Sequence, residues 1–181
     1  MAFINRKRNE NLTTYNKKTI KEIFEHARNL GVETCPFDIF AYILHIQEID
    51  YWEDYFDSDI SGKIEYRNSG IYQIVINKYH SLVRRRFTLA HEFAHFVLHK
   101  DFLMQGNKIE DGILFRSDNN LNNQREVEAN GFAADLLMPQ NSFENEIRQG
   151  NVKVETLADF FQVSYSAIKY RAFKLGYLKE Y

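Results

Sequence analysis

The sequence is poor in cysteine and has no long apolar run. Its single cysteine, Cys35, excludes a disulfide framework and a zinc site built from several cysteines, and it fits a reducing compartment. No apolar run approaches the roughly 18 residues that a membrane-spanning helix needs. Residues 1–18 are polar and basic and lack the apolar segment of a secretory signal. We therefore expect a cytoplasmic protein without a membrane partner.

An excess of charge of one sign is also missing. The formal net charge of −2 gives no overall electrostatic reason for binding nucleic acid. Hydrophobic residues make up 44% of the 181 residues, enough for a packed core, and no internal repeat is evident. We expect one domain over residues 1–140, in which residues 1–15 form a flexible arm. A helical C-terminal region should follow over residues 141–181.

The spacing of apolar residues predicts an α+β fold in which helices pack on a small, hairpin-containing antiparallel or mixed sheet. The stretch 61–78 is rich in Ile, Val and Tyr, with a turn signal near 68–70, and predicts a β-hairpin. Its second half, residues 71–78, is the better strand, and an extended substrate could add to its edge. Pro36 suits the start of a helix, and Ser142 suits an N-cap. Helical spacing or composition predicts helices near 17–30, 37–45, 82–99, 124–138 and 142–150, with a long polar connection over 100–123.

The strongest chemical signal is the stretch "HEFAH" at residues 91–95. On a helix, His91 and His95 lie one above the other, so both imidazoles can point at one ion. Glu92 lies about 100° round the helix, within reach of a water on that ion. This pattern predicts a Zn²⁺ site with Glu92 as general base. The alternative is an ordinary core helix that carries two imidazoles.

A zinc site of this kind needs a third protein ligand. In one class of zinc sites, the pattern continues from the second histidine with a glycine three residues later and a third histidine six residues later. Leu98 and Asp101 occupy these two positions here, so this form is ruled out. His99 is on the correct face, but one straight helix rarely provides three ligands, so we expect it to line the cleft. A glutamate from a second helix is the other solution.

The stretch 124–139 offers that glutamate. Glu126 and Asn130 are four apart, so Glu126 can bind the metal while Asn130 hydrogen-bonds a metal-binding histidine. Glu128 points about 160° away from Glu126 and is not expected at the ion. Gly131 and the neighbouring alanines should let this helix pack closely against its neighbour.

Two further features have alternative interpretations. Arg84, Arg85 and Arg86 form a basic patch in which at least one side chain should pair structurally and the others should be solvated. Residues 157–176 resemble a helix-turn-helix, with Ser164 as the cap of the second helix and Lys169, Arg171 and Lys174 on a positive side. A helical pair packed on the catalytic core explains the same pattern, and DNA binding is not expected.

Together, "RRFTLAHEFAHFVLH" and "EVEANGFAADLLMP" resemble the ImmA/IrrE family of zinc metallopeptidases, over about residues 30–140. The resemblance implies a gluzincin-like core in which His91, His95 and Glu126 hold zinc and Glu92 is catalytic, and Asn130 matches an Asp or Asn of the family pattern. Known members act on helix-turn-helix repressors and so derepress mobile elements or stress genes. We therefore expect regulatory proteolysis of a protein substrate, such as a repressor. The alternatives are a zinc-binding module that holds a partner without cutting it, and a DNA-binding regulator that uses the C-terminal helices.

Overall fold

The computed structural model describes residues 20–57, 59–67, 69–112 and 120–179, so the predicted arm at 1–15 lies outside the described residues. The α+β class is confirmed, with a helical C-terminal part. In chain order the elements are α1 (Ile20–Asn29), α2 (Ile39–Ile43), β1 (Ile49–Asp54), β2 (Ile60–Arg67), β3 (Ile71–Asn77), α3 (Leu82–Leu98), α4 (Lys100–Met104), β4 (Lys108–Gly112), α5 (Asn120–Leu137), α6 (Gln140–Arg148), α7 (Val154–Phe161) and α8 (Tyr165–Lys174).

The four strands form one mixed sheet in the order β1-β3-β2-β4. Strand β2 pairs with β3 and with β4 in antiparallel fashion, and β1 pairs with β3 in parallel fashion. The predicted hairpin is therefore confirmed as β2 and β3. Its turn closes with a hydrogen bond of 3.0 Å from the Gly70 N–H to the Arg67 carbonyl. Gly70 has a φ of +81°, a conformation that a residue with a Cβ rarely adopts.

The expectation that residues 71–78 offer a free edge is wrong. Strand β3 lies between β1 and β2, so both of its edges are paired. All of its residues except Gln73 are buried, as its run of Ile, Val and Tyr requires. The strand at the end of the sheet next to β2 is β4, within the stretch 100–123 for which the sequence predicts only a connection.

Two helix starts also differ from the prediction. Helix α2 begins at Ile39 rather than at Pro36, because the Asp38 carboxylate accepts a hydrogen bond of 3.0 Å from the Ala41 N–H and caps the helix. Helix α6 begins at Gln140, directly after Pro139, so Ser142 lies inside the helix and not at its cap.

Helix α3 is the central element of the fold. Ser81 caps its start, and the residues from Thr88 to Val97 are all buried. It contacts β2 and β3 on one side and α2 and α5 on others. A helix buried on nearly every side is expected to lie in the core and not on the surface. The side chains of this segment are therefore held firmly in place.

The three arginines at the start of α3 fasten it to its neighbours and do not form a solvated patch. The Arg84 guanidinium donates to the Ser61 hydroxyl of β2 at 2.8 Å. Arg85 forms an ion pair with Glu53 of β1. Arg86 is buried and donates to the Phe37 carbonyl at 2.9 Å. The predicted structural pairing is confirmed for Arg85 and Arg84 is exposed as expected, but the expectation of a solvated side chain is wrong for Arg86.

Helix α5 packs closely on α3 through small side chains. Ala129 and Ala133 are fully buried, and Ala134 is nearly so. Gly131 does not contribute to this contact, contrary to the prediction, because a Cβ placed there would meet no atom within 4 Å. The close approach depends on the alanines alone, and it allows polar side chains of α5 to reach those of α3.

The C-terminal helices extend the same core. Phe143, Leu157, Phe161 and Ile168 belong to the cluster of buried residues that includes the central helix. As predicted, Ser164 caps α8, with its hydroxyl accepting from the Ala167 N–H at 3.2 Å. The domain boundary at residue 140 stays a prediction. No helix among the described residues has the length and apolar character to cross a bilayer.

Candidate metal centre

Three side chains from two helices converge at one point. The Nε2 atoms of His91 and His95, both on α3, lie 3.0 Å apart. The Glu126 carboxylate of α5 lies 3.1 Å from Nε2 of His91 and 3.5 Å from Nε2 of His95. These residues form a group whose donor atoms are close enough together to hold one ion. The structure thus brings together the residues that the sequence predicts as ligands.

The cluster is closed on the α3 side and open on the α5 side. The side chains of His91 and His95 are 2% and 0% exposed, whereas that of Glu126 is 35% exposed. Burial raises the pKa of Glu126, but hydrogen bonds and charge from His91 and His95 outweigh burial and hold the pKa below its usual value. Glu126 is therefore an anion, and solvent has access to the cluster from its side.

Asn130 orients the ring of His91. Its side-chain oxygen lies 3.1 Å from Nδ1 of His91. A carbonyl oxygen can only accept a hydrogen bond, so Nδ1 of His91 must carry a proton and donate it. In the neutral ring, Nε2 is then the nitrogen that can bind a metal, and it lies 3.1 Å from the Glu126 carboxylate. This is the partnership that the sequence predicts for Asn130.

A chain of two side chains orients the ring of His95. Nδ1 of His95 lies 2.9 Å from Nδ1 of His99, and Nε2 of His99 lies 3.1 Å from the Glu128 carboxylate of α5. Gln124 donates to the other carboxylate oxygen of Glu128 at 2.8 Å, and the hydrogen bonds from His99 and Gln124 lower the pKa of Glu128. His99 is thus buried behind His95, and its place on the cleft stays a prediction.

The direction of these hydrogen bonds follows from the carboxylate at the end of the chain. Glu128 can only accept, so Nε2 of His99 donates; where that is the one proton of the ring, Nδ1 of His99 accepts from Nδ1 of His95. Burial lowers the pKa of His95 to about 4, so the ring is neutral near pH 7 and carries one proton. With that proton on Nδ1, Nε2 of His95 is also the nitrogen that can bind a metal.

This donor set fits a metal cation. Two imidazole nitrogens and a carboxylate lie at 3.0 to 3.5 Å from one another, so one cation can contact all three. Ligand atoms about 2.05 Å from a tetrahedral ion are about 3.3 Å apart, close to these separations. Two imidazoles and a carboxylate are also the ligands of one common type of zinc site that leaves a position open.

Glu92 lies on the side of α3 that faces β2. It is fully buried, and a Cβ built at Gly62 of β2 would lie 3.1 Å from its Oε1. The same Cβ would lie 2.6 Å from Cγ2 of Thr88, which is closer than real contacts of this kind. Gly62 therefore lets the backbone of β2 approach the helix at the height of Glu92.

Two residues that contribute to the site, Glu128 and Gly62, are not predicted from the sequence. The sequence does not place Glu128 at the ion, because it points away from Glu126 on the helix. In the structure, the crossing of α5 over α3 brings Glu128 into contact with His99. The four-residue spacing of His95 and His99 was the available signal for contact between these rings. For Gly62, the signal was a glycine inside a strand, which often marks close approach of another segment.

The sequence pattern of the IrrE N-terminal-like domain, peptidase family M78, matches residues 27–173. No curated protein sequence matches the chain. A solved structure of a Mycobacterium tuberculosis transcriptional regulator is similar, with a TM-score of 0.56 and 16% sequence identity over 84% of this chain. The match covers 45% of that regulator, so this chain spans less than half its length. At this level of identity the similarity concerns the fold alone.

Proposed function

Because the chain belongs to the IrrE N-terminal-like family of peptidases, matched over residues 27–173, we propose that it is a zinc-dependent endopeptidase. His91, His95 and Glu126 hold the zinc ion, and Glu92 is the catalytic base. The observation that carries this proposal is the convergence of three ligand side chains from two helices, with outer partners that hold both imidazoles.

The chemistry proposed is hydrolysis of a peptide bond. When bound, zinc lowers the pKa of a water towards neutrality and polarises the scissile carbonyl. Glu92 takes the proton of the attacking water and passes it to the leaving amine. Its position beside Gly62, away from solvent, suits a carboxylate that exchanges a proton with a substrate and not with bulk water. His91 and His95 keep their rings fixed throughout, because Asn130 and His99 hold their outer nitrogens.

The substrate proposed is an extended segment of a protein, such as a helix-turn-helix repressor. An extended segment can add to the end of a sheet through backbone hydrogen bonds. Strand β4 suits this role better than β3, because β4 has a neighbour, β2, on one side only among the described residues. Gly62, beside Glu92, pairs with position 111 of β4, so that edge is one strand away from the proposed base.

One prediction separates the proposed base from the proposed ligands. The variant Glu92→Gln should retain bound zinc but lose hydrolysis, by roughly 10²-fold or more, because the general base is missing. The variant His95→Ala should lose both. Zinc is measured in the purified proteins by mass spectrometry, and cleavage is measured by intact mass after incubation with repressors encoded next to the protein.

Two outcomes would contradict this assignment. Full cleavage by Glu92→Gln would remove Glu92 from the mechanism. Stable capture of a repressor by the zinc-loaded protein without any cleavage would favour the module that binds without cutting. DNA binding by α8 is not supported, since Arg171, one of its three predicted basic contacts, is buried against α5.

A further inference from the structure

A groove lies beside the candidate metal centre. Its volume is about 430 Å³, within the usual range for ligand sites. Its walls come from the start of α3 at Phe87, from one face of α5, and from the start of α8. The groove therefore joins the proposed catalytic core to the C-terminal helices.

The groove and the candidate metal centre share Asn130 of α5. Glu126, Asn130, Ala134 and Met138 follow one another at intervals of four residues, so they line one face of the helix. Asn130 belongs to both sites: its oxygen holds His91, and its side chain also lines the groove. A group bound in the groove is thus one side chain away from the metal ligands.

The lining of the groove selects against charge. Every described side chain that lines it is uncharged, and Phe87, Ala134, Met138 and Ala167 are apolar. Burying a charged side chain there, with no partner of opposite charge, is unfavourable. The small side chains of Ala134 and Ala167 leave the space that a larger apolar group from outside can fill.

Helix α8 is held in place as one wall. The Arg171 guanidinium is buried, forms an ion pair of 2.6 Å with Asp135, and donates from Nε to the Met138 carbonyl at 3.0 Å. Both partners belong to α5 or its C-terminal end, so α8 has a fixed position over that helix. Ser166 and Tyr170 of α8 therefore form one wall of the groove.

We propose that this groove is a specificity pocket, which receives an aliphatic or aromatic side chain of the substrate next to the cleaved bond. This inference rests on the proposed peptidase function. Its continuity with the metal centre through Asn130 and its uncharged lining argue for an apolar substrate side chain. The C-terminal helices thereby take part in substrate selection.

The first experiment measures residue preference. Zinc-loaded protein is incubated with a synthetic peptide library, and mass spectrometry identifies the residues that flank the cleaved bonds. The unmodified protein should prefer Leu or Phe over Gly at one flanking position by roughly ten-fold or more. Ser166→Trp, which adds a large side chain at the wall, should shift that preference to small residues. Lys169→Trp, at an exposed position of α8 that does not line the groove, should keep it.

The proposed pocket would be contradicted if the unmodified protein showed no preference for apolar residues. It would also be contradicted if Ser166→Trp showed the same preference as the unmodified protein. Thermal unfolding of both tryptophan variants shows whether they are folded. If only Ser166→Trp fails to fold, Ala167→Phe replaces it, since Ala167 lines the same wall.

The second experiment does not depend on hydrolysis. The protein, with and without zinc, is titrated with N-acetyl-leucinamide, and backbone amide signals are followed by NMR. The signals of Val127, Ala134 and Ala167 should shift, and N-acetyl-glycinamide should shift them far less. Ser166→Trp should abolish the response. If leucinamide shifts none of them, the pocket is wrong. If these shifts occur without any zinc binding or cleavage, the peptidase function fails and with it the role in substrate selection, and the groove is an apolar binding site only.

Discussion

At the scale of single residues, the candidate centre depends on side chains that never touch the ion. Asn130 holds the outer nitrogen of His91, and His99 together with Glu128 holds that of His95. Each outer partner fixes the tautomer and the orientation of its ring, which raises the affinity of the inner nitrogen for a metal. The two histidines are therefore prepared for binding by two separate hydrogen-bond networks.

The network behind His95 is open to a direct test. Glu128→Ala removes the acceptor for His99 and should weaken zinc binding by about 10- to 100-fold, as loss of such outer partners usually does. Competition with a chromophoric chelator measures this affinity. Gln124→Ala is the matched control, because Gln124 contacts only the far oxygen of Glu128 and should change the affinity little. An unchanged affinity in Glu128→Ala would show that the chain does not hold His95.

The shared face of His91 and His95, and that of Glu126 and Asn130, were predictable from the sequence because each pair is four residues apart on one helix. Such spacing fixes which side chains share a face. Glu128 was not predictable in this way. Its contact with His99 depends on how α5 crosses α3, and no angle measured within one helix contains that information.

At the scale of elements, the packing of β2 on α3 makes Gly62 a sensitive position. Gly62→Ala introduces a Cβ 2.6 Å from Thr88 Cγ2, so the strand or the helix has to shift. We expect a loss of about 1–3 kcal/mol in the free energy of unfolding, measured with urea. Thr88→Ser removes the methyl group in question and should recover part of the loss in the double variant. If the loss of stability in the double variant equalled the sum of the losses in the two single variants, the clash with Thr88 would not be the cause.

At Gly131, in helix α5, we expect substitution by alanine to raise the stability of the protein, in contrast to Gly62. A Cβ at this exposed position meets nothing within 4 Å, so Gly131→Ala adds no clash. Alanine loses less backbone entropy on folding than glycine, and the variant should gain about 0.5–1 kcal/mol in stability, measured in the same urea titration. A loss of stability would mean that position 131 makes a contact that requires glycine.

The attachment of α8 to α5 leads to a prediction about the tail. Arg171→Met removes the ion pair with Asp135 and leaves the Met138 carbonyl without this donor. Loss of a buried hydrogen bond costs about 1–3 kcal/mol, and amide exchange in α8 should become faster. Lys169→Met, on the exposed side of the same helix, is the control and should leave the exchange unchanged. Equal exchange rates in both variants would show that Arg171 does not hold the helix.

Element positions were partly predictable. The hairpin, the central helix and the helix with Glu126 follow from apolar spacing and from turn residues, which act locally. Strands β1 and β4 were not predicted, and β3 was wrongly placed at an edge of the sheet. Strand order depends on pairing between segments that are distant in the sequence. The Ile and Val content of residues 71–77 was a signal for an interior strand, since strands buried on both faces are apolar throughout.

At the scale of the whole molecule, a metal held by two helices should stabilise the fold. A ligand present at about 100 times its dissociation constant adds about 2.7 kcal/mol. For a chain of this length, that corresponds to a rise in Tm of roughly 5–10 °C, measured by calorimetry before and after chelation. His95→Ala should show no such rise when zinc is added. An equal rise in that variant would mean that zinc binds elsewhere.

The separation of His95 and Glu126 along the chain has a consequence for biosynthesis. A ribosome delivers α3 well before α5, and segments fold roughly in the order in which they emerge. A nascent chain that ends before α5 has only the imidazole pair, which is too few donors for a tight zinc complex. The three proposed zinc ligands are therefore complete only after translation has passed α5.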